Sequence, residues 1–571
     1  MKPRSAGSLA ARWLAAALVA FSASGWAQVD RAQARSMVIS RYGIVASEHP
    51  LASQAGAVIL AKGGNAIEAA IAANAAMGVV APMMCGMGGD LFAIVYEAKT
   101  GKIHGLNASG WAPAGLTLER MTAKGLQTMP INTIDAVTVP GAVAGWDALL
   151  RQFGHRPLAE LLAPAIELAR DGFPVSELTA GAWKAGEEGL RRHTNTAAVF
   201  LPNGHAPGVG ELFSDPAMAW AYEQIARQGR QAFYEGAIAK RLLDFSQRAG
   251  GAMTAEDLAQ FQPEWVTPIS TTYRGWTVYE IPPNGQGIAA LMMLNLMENF
   301  PLAEYGRNST RSLHVMIEAK KLAYADLRQY IADPRFAQVP VSGLLSKSYA
   351  RDRARLINLD QAADLAQPGS PPPMGNDTTY LCAVDREGNM ISLIQSLYYA
   401  FGSGLVAEGT GFALQNRGAL FSLDPRHPNV LAGRKRPLHT IIPAFMEKDQ
   451  TRIAFGIMGG WNQAQAHAQF VANVADHHLN LQAALEAPRF TKMSFEGRDV
   501  QMESRIPESI RAELTAKGHQ IRLGGEFIQA VGGGQAVMRD FQKGVNYGAS
   551  DPRKDGAAIP EPAGGGTPAS P

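Results

Sequence analysis

The chain has 571 residues, of which 47% are hydrophobic and 18% are charged, and its formal net charge is +2. These values exclude a mainly disordered protein, and they show none of the basic excess that a nucleic-acid partner requires. The two cysteines, Cys85 and Cys382, exclude a disulfide-rich scaffold and a cysteine-ligated zinc module.

The first segment has the parts of a secretory signal peptide. Three basic residues and no acidic one precede the short apolar run Trp13–Phe21, and small residues follow it up to Ala27. This run is shorter than the roughly 18 apolar residues that a membrane helix needs. We therefore expect cleavage after Ala27, removal of residues 1–27, and export of the remaining chain, in a bacterium to the periplasm.

The next 350 residues or so are typical of helices packed on strands. A buried strand is predicted over Leu91–Tyr96, after a glycine-rich stretch. Apolar residues at helical spacing predict helices over Leu51–Ala61, Asn65–Met77, Leu158–Ala169, Ile288–Met297 and Leu313–Arg328. Asp360–Met374 is rich in Pro, Ala and Gly and is predicted to be an exposed loop, and residues 554–571 are predicted to be a disordered tail.

A β-hairpin is predicted directly after that loop. Its strands are Thr378–Asp385 and Met390–Tyr399, joined by the turn residues Arg386–Asn389. Thr378 therefore stands at the start of a strand and follows a cleavable segment. If Thr378 becomes a chain terminus, its α-amine, with a pKa near 7.7–8.0, can act as the base that activates its hydroxyl. A β-branched residue is also common at the start of a strand for structural reasons alone.

Short motifs recur in order along almost the whole chain. They are Ala46–Ala52, Gly63–Asn65, Gly86–Gly89, Val139–Gly141, Pro283–Gly287, Asp377–Tyr380, Lys435–Pro437, Gly459–Gly460 and Tyr547–Arg553. With these motifs the chain resembles the γ-glutamyltransferase family of N-terminal-nucleophile hydrolases.

The resemblance implies an α+β fold, a four-layer αββα sandwich, and self-cleavage between Asp377 and Thr378. The expected products are a large subunit, 28–377, and a small catalytic subunit, 378–553 followed by the tail, which stay associated. It further implies that Thr378 is the nucleophile, that the amides of Gly459 and Gly460 stabilise the oxyanion, and that the Ser396 hydroxyl supports the nucleophile.

The substrate-binding positions depart from the usual pattern of the family. Typical members hold the substrate's α-amino and α-carboxylate groups with an arginine, an asparagine, a glutamine, an aspartate and paired serines. The corresponding positions here are Ser109–Pro113 without an arginine, Tyr398, Arg417, Leu420 and the pair His439-Thr440. We therefore expect a more cationic pocket, in which Arg417, His439, Thr440 and Tyr398 bind an acyl group that ends in a carboxylate.

This second pattern is similar to the branch of the family that contains dicarboxylic acylases and oxamate amidohydrolase-like enzymes. The predicted activity is hydrolysis or acyl transfer of a small amide. The alternatives are the family's usual glutathione hydrolase and γ-glutamyl transferase activity, or an exported binding protein that keeps the fold without catalysis. Trp111 and Trp461 are unusual even in this branch. The sequence contains no G-x-S-x-G, H-E-x-x-H or Walker A motif, and we expect no cofactor, no metal and, after removal of the leader, no membrane partner.

Overall fold

The computed structural model describes residues 33–364 and 377–563, with the backbone alone at 377 and 378. The chain divides into Met1–Arg35 and Ser36–Pro571, and the fold described below belongs to the second unit. The predicted signal peptide, most of the predicted loop before Thr378 and the last eight residues lie outside the described residues. No helix in the described part of the chain combines the length and the hydropathy needed to cross a bilayer.

Two seven-stranded antiparallel sheets form the centre of the fold, and strands are numbered in chain order. Sheet I contains, from edge to edge, β19 (Ala557–Pro560), β2 (Ile44–Ser47), β10 (Asp377–Val384), β11 (Met390–Tyr398), β3 (Asp90–Glu97), β4 (Lys102–Ala108) and β7 (Glu264–Val266). Sheet II contains β1 (Val38–Ser40), β18 (Val545–Ser550), β17 (Gly534–Asp540), β13 (Thr451–Ile457), β12 (Ala444–Lys448), β9 (Trp276–Glu280) and β8 (Ile269–Tyr273).

The two sheets pack face to face through a shared apolar core. Phe92, Ile94, Tyr380 and Ile394 of sheet I meet Phe445 and other side chains of sheet II, and all are fully buried. Smaller sheets pair β5 (Phe173–Pro174) with β6 (Leu212–Phe213), and β15 (Asp499–Met502) with both β14 (Phe490–Thr491) and β16 (Gln520–Leu523).

Helices cover the outer face of each sheet and complete the four layers. Those packed on sheet I are α1 (Pro50–Ala61), α2 (Ala66–Val80), α4 (Ala142–Phe153), α5 (Leu158–Asp171), α6 (Glu177–Leu190), α7 (Thr194–Phe200), α8 (Pro216–Gln228), α9 (Arg230–Tyr234), α10 (Ala237–Arg248) and α11 (Ala255–Ala259). Those on sheet II are α12 (Gly287–Met297), α13 (Leu302–Tyr305), α14 (Thr310–Tyr330), α15 (Val341–Leu344), α16 (Lys347–Ala354), α17 (Gln463–Ala475), α18 (Leu481–Glu486) and α19 (Glu508–Ala516). The short α3 (Leu118–Ala123) belongs to a separate small core. The predicted αββα sandwich is confirmed.

The predicted hairpin forms, and its turn is tied to a neighbouring helix. Asp385 accepts hydrogen bonds from the backbone and side-chain nitrogens of Asn389, both at 2.9 Å, which closes the turn. The same carboxylate accepts from the amide of Ala66 at 3.1 Å, in the first turn of α2. That turn is also capped by Asn65 and Glu68 in a reciprocal capping box. The hairpin is therefore held in a fixed place in the middle of sheet I.

The expectation of a disordered tail from residue 554 is wrong for its first ten residues. Ala557–Pro560 pairs with β2 as an edge strand of sheet I. Glu561 forms an ion pair with Arg386 and accepts a hydrogen bond from the amide of Gly43 at 3.0 Å. The Gly/Pro/Ala-rich composition hid a strand whose stability comes from these long-range contacts.

Candidate active site

Thr378 lies near the start of β10, next to the end of β11. Asp377 pairs with Tyr398 of β11 and Thr379 pairs with Gln395, so a register shift falls at Thr378. A bulge of this kind changes the direction of the strand and is common next to active sites. The position predicted for the nucleophile therefore lies at the end of a central strand, opposite Ser396–Tyr398.

Ser396, predicted to support the nucleophile, is fully buried on β11. Its hydroxyl oxygen accepts a hydrogen bond from the amide of Tyr398 at 2.8 Å. Tyr398 has a φ of +84°, which is rare for a residue other than glycine and requires support from its surroundings. Ser396 thus stabilises the sharp end of β11 that faces the start of β10, while its effect on Thr378 stays a prediction.

On the other side of β10, beyond the end of β2, a buried glutamate supplies the hydrogen-bond acceptor that a neighbouring strand would otherwise provide. The ladder between β2 and β10 reaches Ser47, which pairs with Leu381. The next residue, Glu48, accepts a hydrogen bond from the amide of Tyr380 at 3.0 Å through its carboxylate. Sequence reasoning missed Glu48, although it stands inside the motif Ala46–Ala52.

The glycine pair predicted as the oxyanion site forms a tight turn after β13. Gly459 and Gly460 have φ angles of +125° and +56°, which glycine adopts without strain. Neither amide has a hydrogen-bond acceptor within the described residues. The turn leads into α17, whose N-terminal end favours negative charge. Both amides are available to an oxyanion.

Packing between the sheets brings β13, the strand before this turn, close to β10. Tyr380, two residues after Thr378, covers Gly456, and a Cβ atom at Gly456 would lie 2.5 Å from the tyrosine ring. Gly456 in turn precedes Gly459 by three residues. The absence of a side chain at Gly456 therefore allows β13 to lie close to β10, with the glycine turn beyond it.

The four residues predicted to bind substrate come together beside Thr378. The Nη1 atom of Arg417 donates to the Thr440 hydroxyl at 2.6 Å, and its Cζ atom lies 4.4 Å from the ring centre of Tyr398. His439 precedes Thr440 and its ring packs on Phe92, with ring centres 4.8 Å apart. Since Tyr398 pairs with Asp377, the guanidinium lies across the hairpin from the predicted cleavage site.

A fifth residue, Asp90, connects this group and was missed from the sequence. Its Oδ2 atom lies 2.8 Å from His439 Nε2 and 3.7 Å from Arg417 Nε. Asp90 begins β3 directly after the motif Gly86–Gly89, and its side chain is fully buried. A carboxylate at the first position of an apolar strand was the signal that could have identified it.

The expectation that His439 adds positive charge is wrong. Burial, followed by the neighbouring Arg417 cation, lowers the pKa of His439 to about 4. Burial also lowers the pKa of Arg417 to about 10, against the opposing effect of Asp90. At neutral pH the imidazole is therefore neutral, and Arg417 is cationic with Asp90 as its counter-ion.

Two donor atoms of Arg417 are left unused. Its Nε and Nη2 atoms are buried and have no hydrogen-bond partner among the described residues. These atoms form one edge of the planar guanidinium group, and a carboxylate can bind both of them at once. The site therefore contains a buried, positively charged fork with no acceptor from the described chain.

Neutral residues stand at several positions where this chain lacks the usual substrate-binding residues of the family. In the segment Ser109–Pro113, near which the family has an arginine, Ser109 donates its hydroxyl proton to Asn107 at 2.7 Å. Leu420 is buried in the apolar core on sheet II. Trp461 follows Gly460 and is 1% exposed, with its ring packed on Tyr324 and Phe495.

Cys382 and a cluster of two histidines and a glutamate are also chemically active side chains, but they are not part of this site. Cys382 is buried, and burial raises the pKa of its thiol, as expected for a packed residue. Among the described residues, His314, Glu318 and His519 have ligand atoms within 4.8 Å of one another. However, His314 Nδ1 and His519 Nε2 share a hydrogen bond of 2.8 Å, and Glu318 binds the ammonium group of Lys321 at 2.6 Å. These atoms are already used inside the protein.

A threonine near the start of a central strand of an αββα sandwich, with a glycine turn after a strand of the other sheet, is the arrangement of the N-terminal-nucleophile amide hydrolases. Residues 52–561 match the family described as gamma-glutamyltranspeptidase. The chain belongs to the gamma-glutamyltranspeptidase family.

Similar proteins span nearly the same length. The chain is 38% identical to the glutathione hydrolase-like YwrD proenzyme of Bacillus subtilis, over 91% of this chain and 99% of that protein. It is 34% identical to the oxamate amidohydrolase proenzyme of Klebsiella pneumoniae, over 91% and 98%. The cephalosporin acylase structure from Bacillus halodurans superposes with a TM-score of 0.87 at 43% identity, covering 94% of this chain and 98% of that one.

These relatives distinguish an amide hydrolase from a non-catalytic binding protein. Relatives made as proenzymes imply that this chain, too, is a precursor of a large and a small subunit. The chain is an amide hydrolase of its family and not a non-catalytic binding protein on the same fold.

Proposed function

We propose that the chain is an exported, periplasmic precursor that cleaves itself between Asp377 and Thr378. The mature enzyme then hydrolyses a small amide whose acyl group ends in a carboxylate. The free Nε–Nη2 edge of Arg417, buried beside the start of β10, is the observation that carries this proposal.

The proposed reaction uses Thr378 and the glycine turn that follows β13. The Thr378 hydroxyl attacks the amide carbonyl, and the new α-amine of Thr378 accepts its proton. The amides of Gly459 and Gly460 stabilise the oxyanion. As that intermediate collapses, the protonated α-amine passes its proton to the nitrogen of the scissile amide, so that the amine leaves and an acyl ester remains on Thr378. Water, deprotonated by the same α-amine, then hydrolyses the ester and regenerates the threonine.

The pocket favours an anionic acyl end on charge grounds. Arg417 is the cation of this pocket, since His439 is neutral, and its Nε–Nη2 edge is unoccupied. Binding a carboxylate there gives two charge-assisted hydrogen bonds in a desolvated site. A neutral acyl end would leave the same donors without an acceptor, which is costly when they are buried.

The second candidate substrate is a γ-glutamyl amide, and one observation favours it. Asp90 places a carboxylate 3.7 Å from Arg417, so a zwitterion would meet both charges. Both oxygens of Asp90 already accept hydrogen bonds from the protein, however. A substrate ammonium group would have to displace one of these donors, and Leu420 and Tyr398 offer no other negative charge.

A comparison of two substrates tests the proposal. Glutaryl-p-nitroanilide and γ-glutamyl-p-nitroanilide differ only by the α-amine, and we expect kcat/KM to be about 10- to 1,000-fold higher for the glutaryl compound. Arg417→Met should lower kcat/KM for the glutaryl compound, because its carboxylate loses the cation that binds it. Faster turnover of the γ-glutamyl compound by the wild type would contradict the proposal and favour the glutathione hydrolase activity.

A further inference from the structure

We propose that Asp90 is a positioning residue of the acyl pocket, which orients Arg417 and His439 and thereby sets the preference for a substrate carboxylate. This inference rests on the proposed role of Arg417 and adds a residue that determines specificity without touching the substrate.

Sheet I fixes the place of the Asp90 carboxylate. Asp90 is the first residue of β3 and pairs with Ser396 on β11, so it stands beside the strand that faces Thr378. Its Oδ1 atom accepts hydrogen bonds from the amide of Gly110 at 2.6 Å and from Gln415 Nε2 at 3.0 Å. These two donors leave Oδ2 pointing at the pocket.

The Oδ2 atom determines the tautomer of His439. The Nδ1 atom of His439 accepts a hydrogen bond from the amide of Ile441 at 3.3 Å. The proton of the neutral ring therefore resides on Nε2, which donates it to Asp90 at 2.8 Å. The imidazole is held as a neutral group against Asp90 and does not compete with Arg417 for a substrate anion.

The same oxygen balances the charge of Arg417 without occupying its free edge. A fully buried guanidinium group with no counter-ion would be strongly destabilising. The separation of 3.7 Å between Asp90 Oδ2 and Arg417 Nε gives electrostatic attraction but is too long for a hydrogen bond. Arg417 is thus stabilised by the protein itself while Nε and Nη2 stay available to a carboxylate.

The substitution Asp90→Asn separates this role from simple packing. Its amide oxygen can keep the bonds to Gly110 and Gln415, which turns its NH2 group toward His439 and Arg417. Donors would then face donors, so the guanidinium should rotate away from its present plane. Asp385→Asn is a matched control, because Asp385 is also buried but lies in the turn at the far end of the hairpin, where it binds Ala66 and Asn389.

The experiment measures KM and kcat of the mature variants on glutaryl-p-nitroanilide and on butyryl-p-nitroanilide, which lacks the carboxylate. We expect Asp90→Asn to raise KM for the glutaryl compound at least about tenfold, the value of one charged hydrogen bond, with kcat and the butyryl KM nearly unchanged. In an Arg417→Met background, Asp90→Asn should have no further effect on the ratio of the two substrates. Asp385→Asn should leave that ratio as in the wild type.

Folding gives a second readout. If Asp90→Asn does not fold, the double variant Asp90→Asn/Arg417→Met should fold, because it no longer contains the uncompensated guanidinium charge. A double variant that fails to fold while Arg417→Met folds would overturn the inference. Equal loss on both substrates, or an effect that persists without Arg417, would also overturn it. If the wild type and Arg417→Met show the same ratio of substrates, the proposed function itself has failed, which is a distinct result.

Discussion

The side-chain amide of Gln286 donates to the carbonyl oxygen of Gly460 at 2.7 Å. The same nitrogen donates to the carbonyl of Thr440 at 2.5 Å. The hydroxyl of Tyr324, which donates to the carbonyl oxygen of Trp461 at 2.5 Å, lies 3.2 Å from Gln286 Oε1. The buried side-chain amide of Gln286 therefore connects the acyl pocket to the proposed oxyanion turn. Tyr324, on helix α14 packed against sheet II, lies beside this amide.

Replacing this amide should reduce the rate of the chemical step. In Gln286→Met, a side chain of similar size removes the donor to both carbonyls. Gly460 keeps the bond from the amide of Gln463, while the buried carbonyl of Thr440 loses its donor, so the glycine turn can shift. We expect kcat on glutaryl-p-nitroanilide to fall about tenfold or more, since precise placement of donors contributes several kcal/mol to such reactions. Gln482→Met is the control, because Gln482 is equally buried and donates to Ser550, away from the pocket. Equal kcat in both variants would contradict this role.

A side chain in the turn formed by Gly459 and Gly460 should lower kcat, because it would displace the proposed oxyanion donors. A Cβ atom at Gly459 would lie 3.2 Å from Asn462, and the φ of +125° strains other residues. We expect Gly459→Ala to lower kcat about 100-fold, the usual effect of losing one oxyanion donor. Gly125→Ala carries a similar backbone strain, at φ +74° with no atom within 4 Å, and should lose thermal stability but not kcat. Normal turnover by Gly459→Ala would exclude this turn as the oxyanion site.

The carboxylate of Glu48 should be needed for efficient maturation. It binds the amide of Tyr380, two residues after the predicted cleavage site, and replaces the strand that ends at Ser47. In Glu48→Ala that amide is left unsatisfied and the start of β10 is less well held, so subunits should form about tenfold more slowly. Glu48→Gln keeps an acceptor and should mature faster than Glu48→Ala. A time course on denaturing gels measures both rates, and identical rates would show that this contact does not affect cleavage.

The dependence of activity on pH should report the α-amine of Thr378 and not His439. Because the pKa of His439 is lowered to about 4, this ring is neutral throughout the range from pH 5 to 9. The amine must be unprotonated to accept the threonine proton, so kcat/KM should fall on the acidic side of a pKa near its ordinary value of about 7.7–8.0. In His439→Gln the activity decreases but the midpoint stays in place. A midpoint that disappears with His439 would identify the imidazole as the base.

The sequence predicted features that depend on local pattern or on the chemistry of one residue type. The hairpin with Thr378 at its start follows from apolar alternation and turn residues, and the grouping of Arg417 with His439 and Thr440 follows from family motifs. The contributions of Glu48, Asp90 and Gln286 could not be predicted, because each depends on partners that are distant in the sequence.

The charge of the pocket also could not be predicted from the sequence. His439 is neutral because it is completely buried beside a cation, and burial is a property of the fold. Arg417 has a counter-ion because sheet I places β3 next to β11, some 300 residues later in the chain. Residue types alone suggested two cations and no anion, whereas the fold holds one cation, one anion and a neutral imidazole.

The identity of the nucleophile is tested most directly by the intact masses and N-terminal sequences of purified wild type and Thr378→Ala. We expect the wild type to contain two fragments, one of which begins with Thr378. Thr378→Ala should be a single uncleaved chain with native circular dichroism and no amidase activity, since it lacks the attacking hydroxyl. Full conversion of Thr378→Ala into the same two fragments, or a wild-type fragment that begins at another residue, would contradict the assignment of Thr378 as the catalytic N-terminus.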